Sequence, residues 1–401
     1  MGPLRGIFLL RYFTTAAAFL AVTSAALAAE PLEIKVGYLR LQESRAAISL
    51  LDVRPENDGI AGARLAIEEN NTTGRFLNQK YLLDDVTLSA TGDLASAVIA
   101  FADRGISLVI ADLPADALLN AADIGRGRGL LFFNAGAIDD RLREQDCRIN
   151  VIHTAPTRSM LADALAQYLV WKKWQRWLLV IGSHPNDRLF ADALRRASRF
   201  GAKIVEERVF EDTGGARRTD NGMVQVQRQI PSFTQSAPSY DVLIAADESE
   251  VFAGYLPYRT WDARPVAGSA GLMPKSWDAA HDQWGAAQLQ NRFVAMFRRR
   301  ITALDGQAWM AARMIGEAVS RRQSADPKTM LEFFTGQDFA LAAFKGQKLT
   351  LRDWNLQLRQ PILLADGRVV VSVSPQDGFL HQNSTLDTLG FDRPETKCRL
   401  K

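Results

Sequence analysis

Cysteine and histidine are scarce in this chain of 401 residues, which contains two cysteines and four histidines. The histidines lack the spacing of metal ligands, and the chain has no H-E-x-x-H segment, no G-x-S-x-G elbow and no P-loop. Ser183 beside His184 suggests a nucleophile and a base, but adjacent side chains rarely face each other productively. We therefore expect no catalytic residues, no metal motif, no cofactor and no enzymatic activity.

Long apolar runs are also missing, apart from a short one near the amino terminus. It extends from Tyr12 to Val22, is broken by Thr14 and Thr15 and followed by Thr23, and is too short to favour a membrane span of ~20 residues. Basic residues precede it and small residues ending near Ala28 follow, as in a cleaved signal peptide. We expect residues 1–28 to be removed and the mature chain to be exported; an uncleaved anchor is the alternative.

Net charge is small. The formal charge at pH 7 is +3, and Arg5 and Arg11 supply two of those charges in a segment without Asp or Glu. The rest of the chain therefore carries about +1, which is too close to neutrality to indicate a nucleic-acid partner. The hydrophobic fraction of 47% and the charged fraction of 23% are typical of a globular protein large enough for two domains.

Apolar runs and helical periodicities alternate along the mature chain. Strand-like runs occur at residues 34–39, 85–89, 107–111, 130–133, 177–181, 203–209, 240–245 and 265–268. Helical spacing occurs at residues 58–70, with Asp58 as a plausible N-cap, and at 94–103, 118–126, 160–171, 187–200, 291–300 and 308–321. Residues 360–372 predict a β-hairpin. This alternation predicts an α/β fold with two doubly wound lobes, whose ligand site lies at the carboxyl ends of the strands.

Several segments together resemble a known family. They include IKVGYL at 34–39, GARLAIEENNTTGRF at 62–76, LVIADLP at 108–114, LLFFNAGA at 130–137 and INVIHTAPTRSMLADALAQYL at 149–169. In order and spacing, the chain resembles the type 1 periplasmic substrate-binding proteins of ABC transporters, in the branched-chain amino-acid-binding group. In overall character it is similar to the subgroup associated with pyrroloquinoline-quinone-dependent alcohol dehydrogenase systems.

The resemblance implies a periplasmic, monomeric protein that captures a small ligand between two lobes and delivers it to an ABC permease of the inner membrane. It also implies a three-crossing hinge, with crossings near residues 152–156, 272–274 and 349–354. The implied division is lobe 1 at 30–152 and 273–350, lobe 2 at 153–272 and 351–374, and a C-terminal tail at 375–401. A sensor or accessory subunit of an exported alcohol dehydrogenase is the alternative function.

The two cysteines, Cys147 and Cys398, lie far apart in the sequence. In an exported protein such an even pair suggests one disulfide, which would tie the C-terminal tail to the body of the protein. Two free thiols are the alternative, because sequence alone does not bring the Cα atoms together.

Three positions depart from the amino-acid binders that the chain resembles. Those proteins hold the ligand carboxylate with a serine-bearing loop after the third strand, where this chain has ADLPAD at 111–116. Their Gly-x-acid-Gly turn, which pairs the ligand ammonium, matches Gly268-Ser269-Ala270-Gly271, in which Ala270 has no charge. Their lobe 2 aromatic aligns near Arg188 or Leu189. We therefore expect a ligand other than an α-amino acid.

Polar residues after the strands are the candidate ligand contacts, together with the Gly-turn position. They are Glu43, Asp112, Asn134, Ala135, Gly136, Ser183, His184, Asp247, Glu248 and Ala270. The acids among them indicate a neutral, hydroxyl-bearing organic ligand or a hard metal ion such as a lanthanide, because carboxylates repel one another unless donors or a cation compensate. Alternatively, individual acids are helix N-caps or solvated rims.

Overall fold

A computed structural model describes residues 30–42, 53–213 and 225–400. The predicted signal peptide and Glu43 lie outside these residues. The described strands are β1 Leu32–Leu41, β2 Gln79–Leu88, β3 Leu108–Asp112, β4 Leu131–Asn134, β5 Val151–His153, β6 Arg176–Gly182, β7 Lys203–Phe210, β8 Val242–Ala246, β9 Val266–Gly268, β10 Met273–Lys275, β11 Leu341–Ala342, β12 Lys348–Leu349, β13 Ile362–Ala365 and β14 Val370–Ser374. The described helices are α1 Ile60–Leu77, α2 Leu94–Asp103, α3 Ala115–Arg126, α4 Arg158–Trp171, α5 Pro185–Ala197, α6 Val226–Thr234, α7 Leu256–Arg259, α8 Ala286–Phe297, α9 Ala303–Arg322 and α10 Pro327–Thr335.

Two parallel sheets form the centres of two lobes. The first has strand order β2-β1-β3-β4-β5 and the second has order β7-β6-β8-β9. Helices cover both faces of each sheet, so the central strands β3, β4, β6 and β8 are buried almost throughout. Their continuous apolar sequences follow from burial on two sides. The predicted α/β fold with parallel sheets is confirmed.

The core of the first lobe receives α8, α9 and α10 from far along the chain. Helix α9 packs along α1, and Gly62 permits the close approach, since a Cβ there would lie 1.9 Å from the carbonyl oxygen of Asp305. Helix α9 begins with a capping box in which Thr302 and Asp305 each accept a hydrogen bond from the other's backbone N–H. These contacts make the first lobe a composite of two separate chain segments.

The start of α1 differs from the sequence prediction. The helix begins at Ile60 after Gly59, whose φ of 80° lies in the left-handed region, and no side chain caps it. The Asp58 carboxylate instead accepts a hydrogen bond of 2.5 Å from the Thr302 hydroxyl, 244 residues away. Asp58 therefore joins α1 to α9, and this pairing overrides the local capping preference.

Three chain segments run between the lobes. The first leaves β5 for α4. The second includes β10 and lies between Leu272, which packs against the second core, and Trp277, which packs in the first. Leu351, Leu356 and Leu358 pack in the first core, whereas Leu364 packs in the second, so the chain leaves the first lobe for the last time between residues 358 and 364. Strands β10, β13 and β14 form a small antiparallel sheet beside α4.

A disulfide joins Cys147 to Cys398, with Cα atoms 5.6 Å apart. Residues 375–400 have little regular structure apart from a 3₁₀ turn at Thr385–Thr388, yet they are held against the body by this bond and by ion pairs of Asp387 and Glu395. Among the described residues, no helix is long and apolar enough to cross a membrane.

Candidate functional site

A cleft of about 920 Å³ lies where the carboxyl ends of the two parallel sheets face each other. Its first wall comes from residues that follow β1, β3 and β4, and its second from residues that follow β6, β8 and β9. Helices α3, α4 and α5 begin at these strand ends. A cleft at this place is the expected ligand site of doubly wound sheets.

Asp112 and Gly136 lie together on the first wall. Asp112 ends β3, and Gly136 follows β4 so closely that a Cβ on it would be 2.8 Å from Asp112 Oδ1. Behind them Tyr38 is buried, and its pKa is raised well above its usual value by burial and by the charges of Asp112 and Asp58. This part of the wall therefore favours hydrogen-bond donors and cations over a second carboxylate.

The second wall is organised by Asp187, which the sequence analysis did not select. This fully buried carboxylate accepts hydrogen bonds from the backbone N–H of His184 (3.1 Å), from the backbone N–H of Ser249 (2.9 Å) and from the Ser249 hydroxyl (3.0 Å). Gly182 leaves the space for it, since a Cβ there would lie 2.2 Å from Asp187 Oδ2. Asp187 thus fixes two cleft loops relative to each other.

Arg158 carries the strongest ionic contacts of the cleft. It is the first residue of α4, is 4% exposed, and donates two hydrogen bonds of 2.8 and 2.7 Å to the carboxylate of Glu248. Its Nη1 also lies 3.2 Å from Asp139 of the opposite wall. Burial raises the pKa of Glu248, and the neighbouring guanidinium opposes that rise. Arg158 therefore bridges the two walls and neutralises much of their negative charge.

Cationic side chains balance the acids that the sequence analysis emphasised. The described cleft wall carries seven carboxylates and five cationic groups, the latter being Arg40, Arg54, Arg141, Arg158 and Lys275. The carboxylates remain in excess by two, and the cations that offset the others come from other segments that fold onto the same walls. Arg40 and Lys275 lie at the ends of β1 and β10, whereas Arg54 lies in a loop and Arg141 in a 3₁₀ turn, so strand ends alone do not locate the last two.

The predicted contact residues divide into two sets. Asp112, Gly136, His184 and Glu248 line the cleft, and His184 is also hydrogen-bonded to Asp212 through Nε2 at 2.8 Å. The others lie behind the wall. The Asn134 side chain is hydrogen-bonded to the carbonyl oxygen and to the N–H of Ala137, which fixes the loop after β4. Ala135 and Ala270 are core residues. The Ser183 hydroxyl accepts a hydrogen bond from the Asp212 N–H.

Asp247 also lies behind the wall and is 2% exposed. Its carboxylate accepts hydrogen bonds from the backbone N–H groups of Val251, Phe252 and Ala253, at 3.0, 2.8 and 2.7 Å. The reason is local, because the turn after β8 leaves these donors without partners and a carboxylate satisfies them. Asp247 shapes the loop that presents Glu248.

The arrangement of donor side chains bears on metal binding. Within the described part of the chain, no three or more His, Cys, Asp or Glu side chains are grouped so as to hold a metal ion. Two of the cleft carboxylates, Glu248 and Asp139, instead contact Arg158.

The fold is that of type 1 periplasmic binding proteins, as comparison with solved structures shows. A periplasmic binding protein from Burkholderia mallei is 15% identical, with a TM-score of 0.64 over 92% of this chain and 99% of that one. A leucine-, isoleucine-, valine-, threonine- and alanine-binding protein from Brucella ovis is 12% identical, with a TM-score of 0.67 over 93% and 100%.

A solute-binding protein of an ABC transporter from Rhodopseudomonas palustris, in complex with 3,4-dihydroxybenzoic acid, is 12% identical, with a TM-score of 0.63 over 85% and 97%. No protein-family model and no curated protein matches the chain. At these identities the likeness establishes the shared fold.

Proposed function

We propose that this protein is a periplasmic solute-binding protein, which captures a small molecule in the interlobe cleft and delivers it to an ABC permease. The observation that carries the proposal is the cleft itself, where loops from two α/β lobes converge at the carboxyl ends of both sheets. The ligand-binding proteins among its structural neighbours share this fold. In this proposal the mature chain acts as a non-enzymatic monomer after removal of residues 1–28.

The ligand we propose is not an α-amino acid. The turn at residues 268–271 presents no acid to the cleft, because Ala270 is 7% exposed and packs in the lobe 2 core while the Ser269 hydroxyl accepts from the Asp247 N–H. Glu248, the nearest alternative partner for an ammonium group, is held by Arg158. Opposite, Asp112 would repel a carboxylate. At the positions that the amino-acid binders use, neither charged group of an amino acid therefore meets its partner.

A neutral, hydroxyl-bearing organic molecule suits the cleft. Alternating carboxylates, guanidinium groups, serines and amides offer both donors and acceptors, as hydroxyl groups require. We propose that the ligand is an alcohol or a product derived from one, in keeping with the resemblance to proteins of pyrroloquinoline-quinone-dependent alcohol dehydrogenase systems.

Ligand binding can be tested by thermal shift and calorimetry on the mature protein. The panel contains leucine, alcohols, aldehydes, polyols, calcium and a lanthanide salt. We expect stabilisation by a hydroxylated compound, with weaker binding in Asp112→Asn and unchanged binding in Asp103→Asn, an exposed residue at the far end of α2. Stabilisation by micromolar leucine would overturn the ligand class. Stabilisation by a lanthanide that is lost in Asp112→Asn would show that the ligand is a metal ion and not the proposed organic molecule.

The transport role needs a separate test. Affinity-tagged protein loaded with the stabilising compound should co-purify with an ABC permease from the membranes of its source organism. Recovery of an alcohol dehydrogenase and no permease would instead identify the accessory or sensor role.

A further inference from the structure

The carboxyl-terminal residues 387–398 run along the side of the molecule where the two lobes meet, and we call them the C-terminal strap. They are buried at Asp387, Leu389, Gly390 and Cys398, although the segment has no helix or strand after the 3₁₀ turn that ends at Thr388. The strap begins against the last interlobe crossing, where Asp387 accepts hydrogen bonds of 2.8 Å from Arg352 and from Arg359.

The middle of the strap is fixed to lobe 2. The Gly390 N–H donates to Asp163 of α4 at 2.8 Å, and Arg196 of α5 donates to the Gly390 carbonyl, also at 2.8 Å. Glu395 then accepts from Arg196 at 2.8 Å and from Arg199 at 2.6 Å. Both α4 and α5 pack on the second sheet, so these contacts move with lobe 2.

The end of the strap is fixed to lobe 1. The Lys397 N–H donates to Glu144 at 2.7 Å, and the Thr396 hydroxyl donates to the same carboxylate at 3.2 Å. Cys398 is bonded to Cys147, in the segment that follows β4. That segment packs in the lobe 1 core through Leu142. The last contacts of the strap therefore move with lobe 1.

The change of lobe takes place within three residues. Glu395 is the last lobe 2 contact described above and Cys398 is the covalent lobe 1 contact, so the linking chain spans at most roughly 11 Å when fully extended. While the Glu395 ion pairs and the disulfide hold, this short link limits the separation of the lobe surfaces at this point. If the ion pairs break, the next lobe 2 contact is at Gly390, and the link to Cys398 extends to at most roughly 29 Å.

The strap also adjoins the cleft. A second cavity, of about 340 Å³, lies between Leu189 and Ala193 of α5, the 139–145 loop and the strap residues Phe391 and Lys397. Arg158 lines both this cavity and the cleft. The strap and the ion pair between Arg158 and Asp139 thus lie at the same interlobe boundary. The ion pair lies on the side of the cleft, and the strap lies on the side of the smaller cavity.

We propose that the C-terminal strap is a covalent interlobe tether, which limits how far the two lobes rotate apart. Its covalent end is Cys147–Cys398, and its non-covalent end is Glu395 with Arg196 and Arg199. Loss of the disulfide should remove the covalent limit on lobe separation, and loss of the Glu395 ion pairs should lengthen the tether, because the next lobe 2 contact is at Gly390.

The test measures lobe separation directly and needs no ligand, so its outcome is independent of the proposed transport function. Spin labels are attached through p-acetylphenylalanine placed at Phe76 of α1 and Tyr258 of α7, which are 88% and 89% exposed. Distances are then measured by double electron–electron resonance in the intact protein, in Cys147→Ser/Cys398→Ser and in Glu395→Ala. We expect both variants to broaden the distance distribution and to add populations outside the range of the intact protein.

Glu33→Ala is the matched control, because it removes an exposed ion pair, with Lys80, within lobe 1 and away from the strap. Its distribution should superimpose on that of the intact protein. Circular dichroism at the measuring temperature verifies that every variant is folded. Superimposable distributions for folded Glu395→Ala and the double serine variant would overturn the tether.

Discussion

The Arg158 bridge provides the sharpest test of the cleft's electrostatics. Arg158→Met keeps the length of the aliphatic stem but removes the guanidinium that contacts Glu248 and Asp139. The variant leaves two carboxylates facing a largely desolvated space, whereas Glu248→Gln leaves Arg158 with Asp139 as an ionic partner. The two single substitutions should therefore lower the free energy of unfolding by different amounts.

The size of the effect follows from burial. Removing one partner of a fully buried ion pair costs about 3–5 kcal/mol. Glu248 and Asp139 are 21% and 20% exposed, so solvent screens part of the penalty, and we expect about 2–4 kcal/mol for Arg158→Met. The double variant Arg158→Met/Glu248→Gln should recover part of this loss, with a coupling energy of about 1–3 kcal/mol.

Urea unfolding at pH 7 and pH 5 measures both quantities. Burial raises the pKa of Glu248, and loss of Arg158 removes the neighbour that opposes this rise. The folded Arg158→Met variant should then bind a proton at Glu248 more readily than the unfolded chain, so its penalty should shrink as the pH falls. Additivity of the single changes to within about 0.5 kcal/mol, or a penalty independent of pH, would refute the reasoning.

Three further predictions concern buried charges. The pKa of Asp163 is raised from 3.8 to about 6, chiefly by burial. As the pH rises from 4 to 7, the free energy of unfolding of the wild type should therefore fall by up to roughly 3 kcal/mol relative to that of Asp163→Asn, as urea unfolding can measure. Burial lowers the pKa of Lys345 from 10.5 to about 7, so the free energy of unfolding relative to Lys345→Met should rise between pH 7 and 10, by at most roughly 4 kcal/mol; equal slopes in thermal unfolding would contradict this. Asp187→Ala leaves the His184 and Ser249 N–H groups without their carboxylate, which should cost about 1–3 kcal/mol in urea unfolding and weaken ligand binding in calorimetry, whereas Asp103→Ala should change neither.

Elements defined by local pattern were predictable from the sequence. The runs at 130–133 and 177–181 match β4 and β6 to within one residue at each end, because burial on both faces demands continuous apolar sequence. Helix α2 begins and ends where its periodicity predicts. Helix α6 was missed because Pro231 lies within it. Strand β10 was missed because its partner β13 lies almost 90 residues away.

The position of residues at strand ends predicts part of the cleft wall. Which of these side chains face the cleft depends on tertiary contacts. Asp112 and Glu248 follow buried strands, and a topological rule suffices to bring them to one edge. The same rule selected Asp247, which turns inward because three backbone N–H groups need an acceptor. No local signal separates Asp247 from Glu248, since they are adjacent acids whose alternating directions are set by the turn after β8.

Arg158 illustrates why the chemistry of such a cleft resists prediction from sequence. At the first position of a helix an arginine is unfavourable to the macrodipole, which prefers negative charge there. Its place is stabilised by Glu248 from a segment 90 residues away and by Asp139 from the other lobe. A residue that is locally unfavourable and satisfied across an interlobe boundary is expected where function constrains the chain. The bridge thus links the charge of the cleft to the relative position of the lobes, on which the proposed capture of a ligand between them depends.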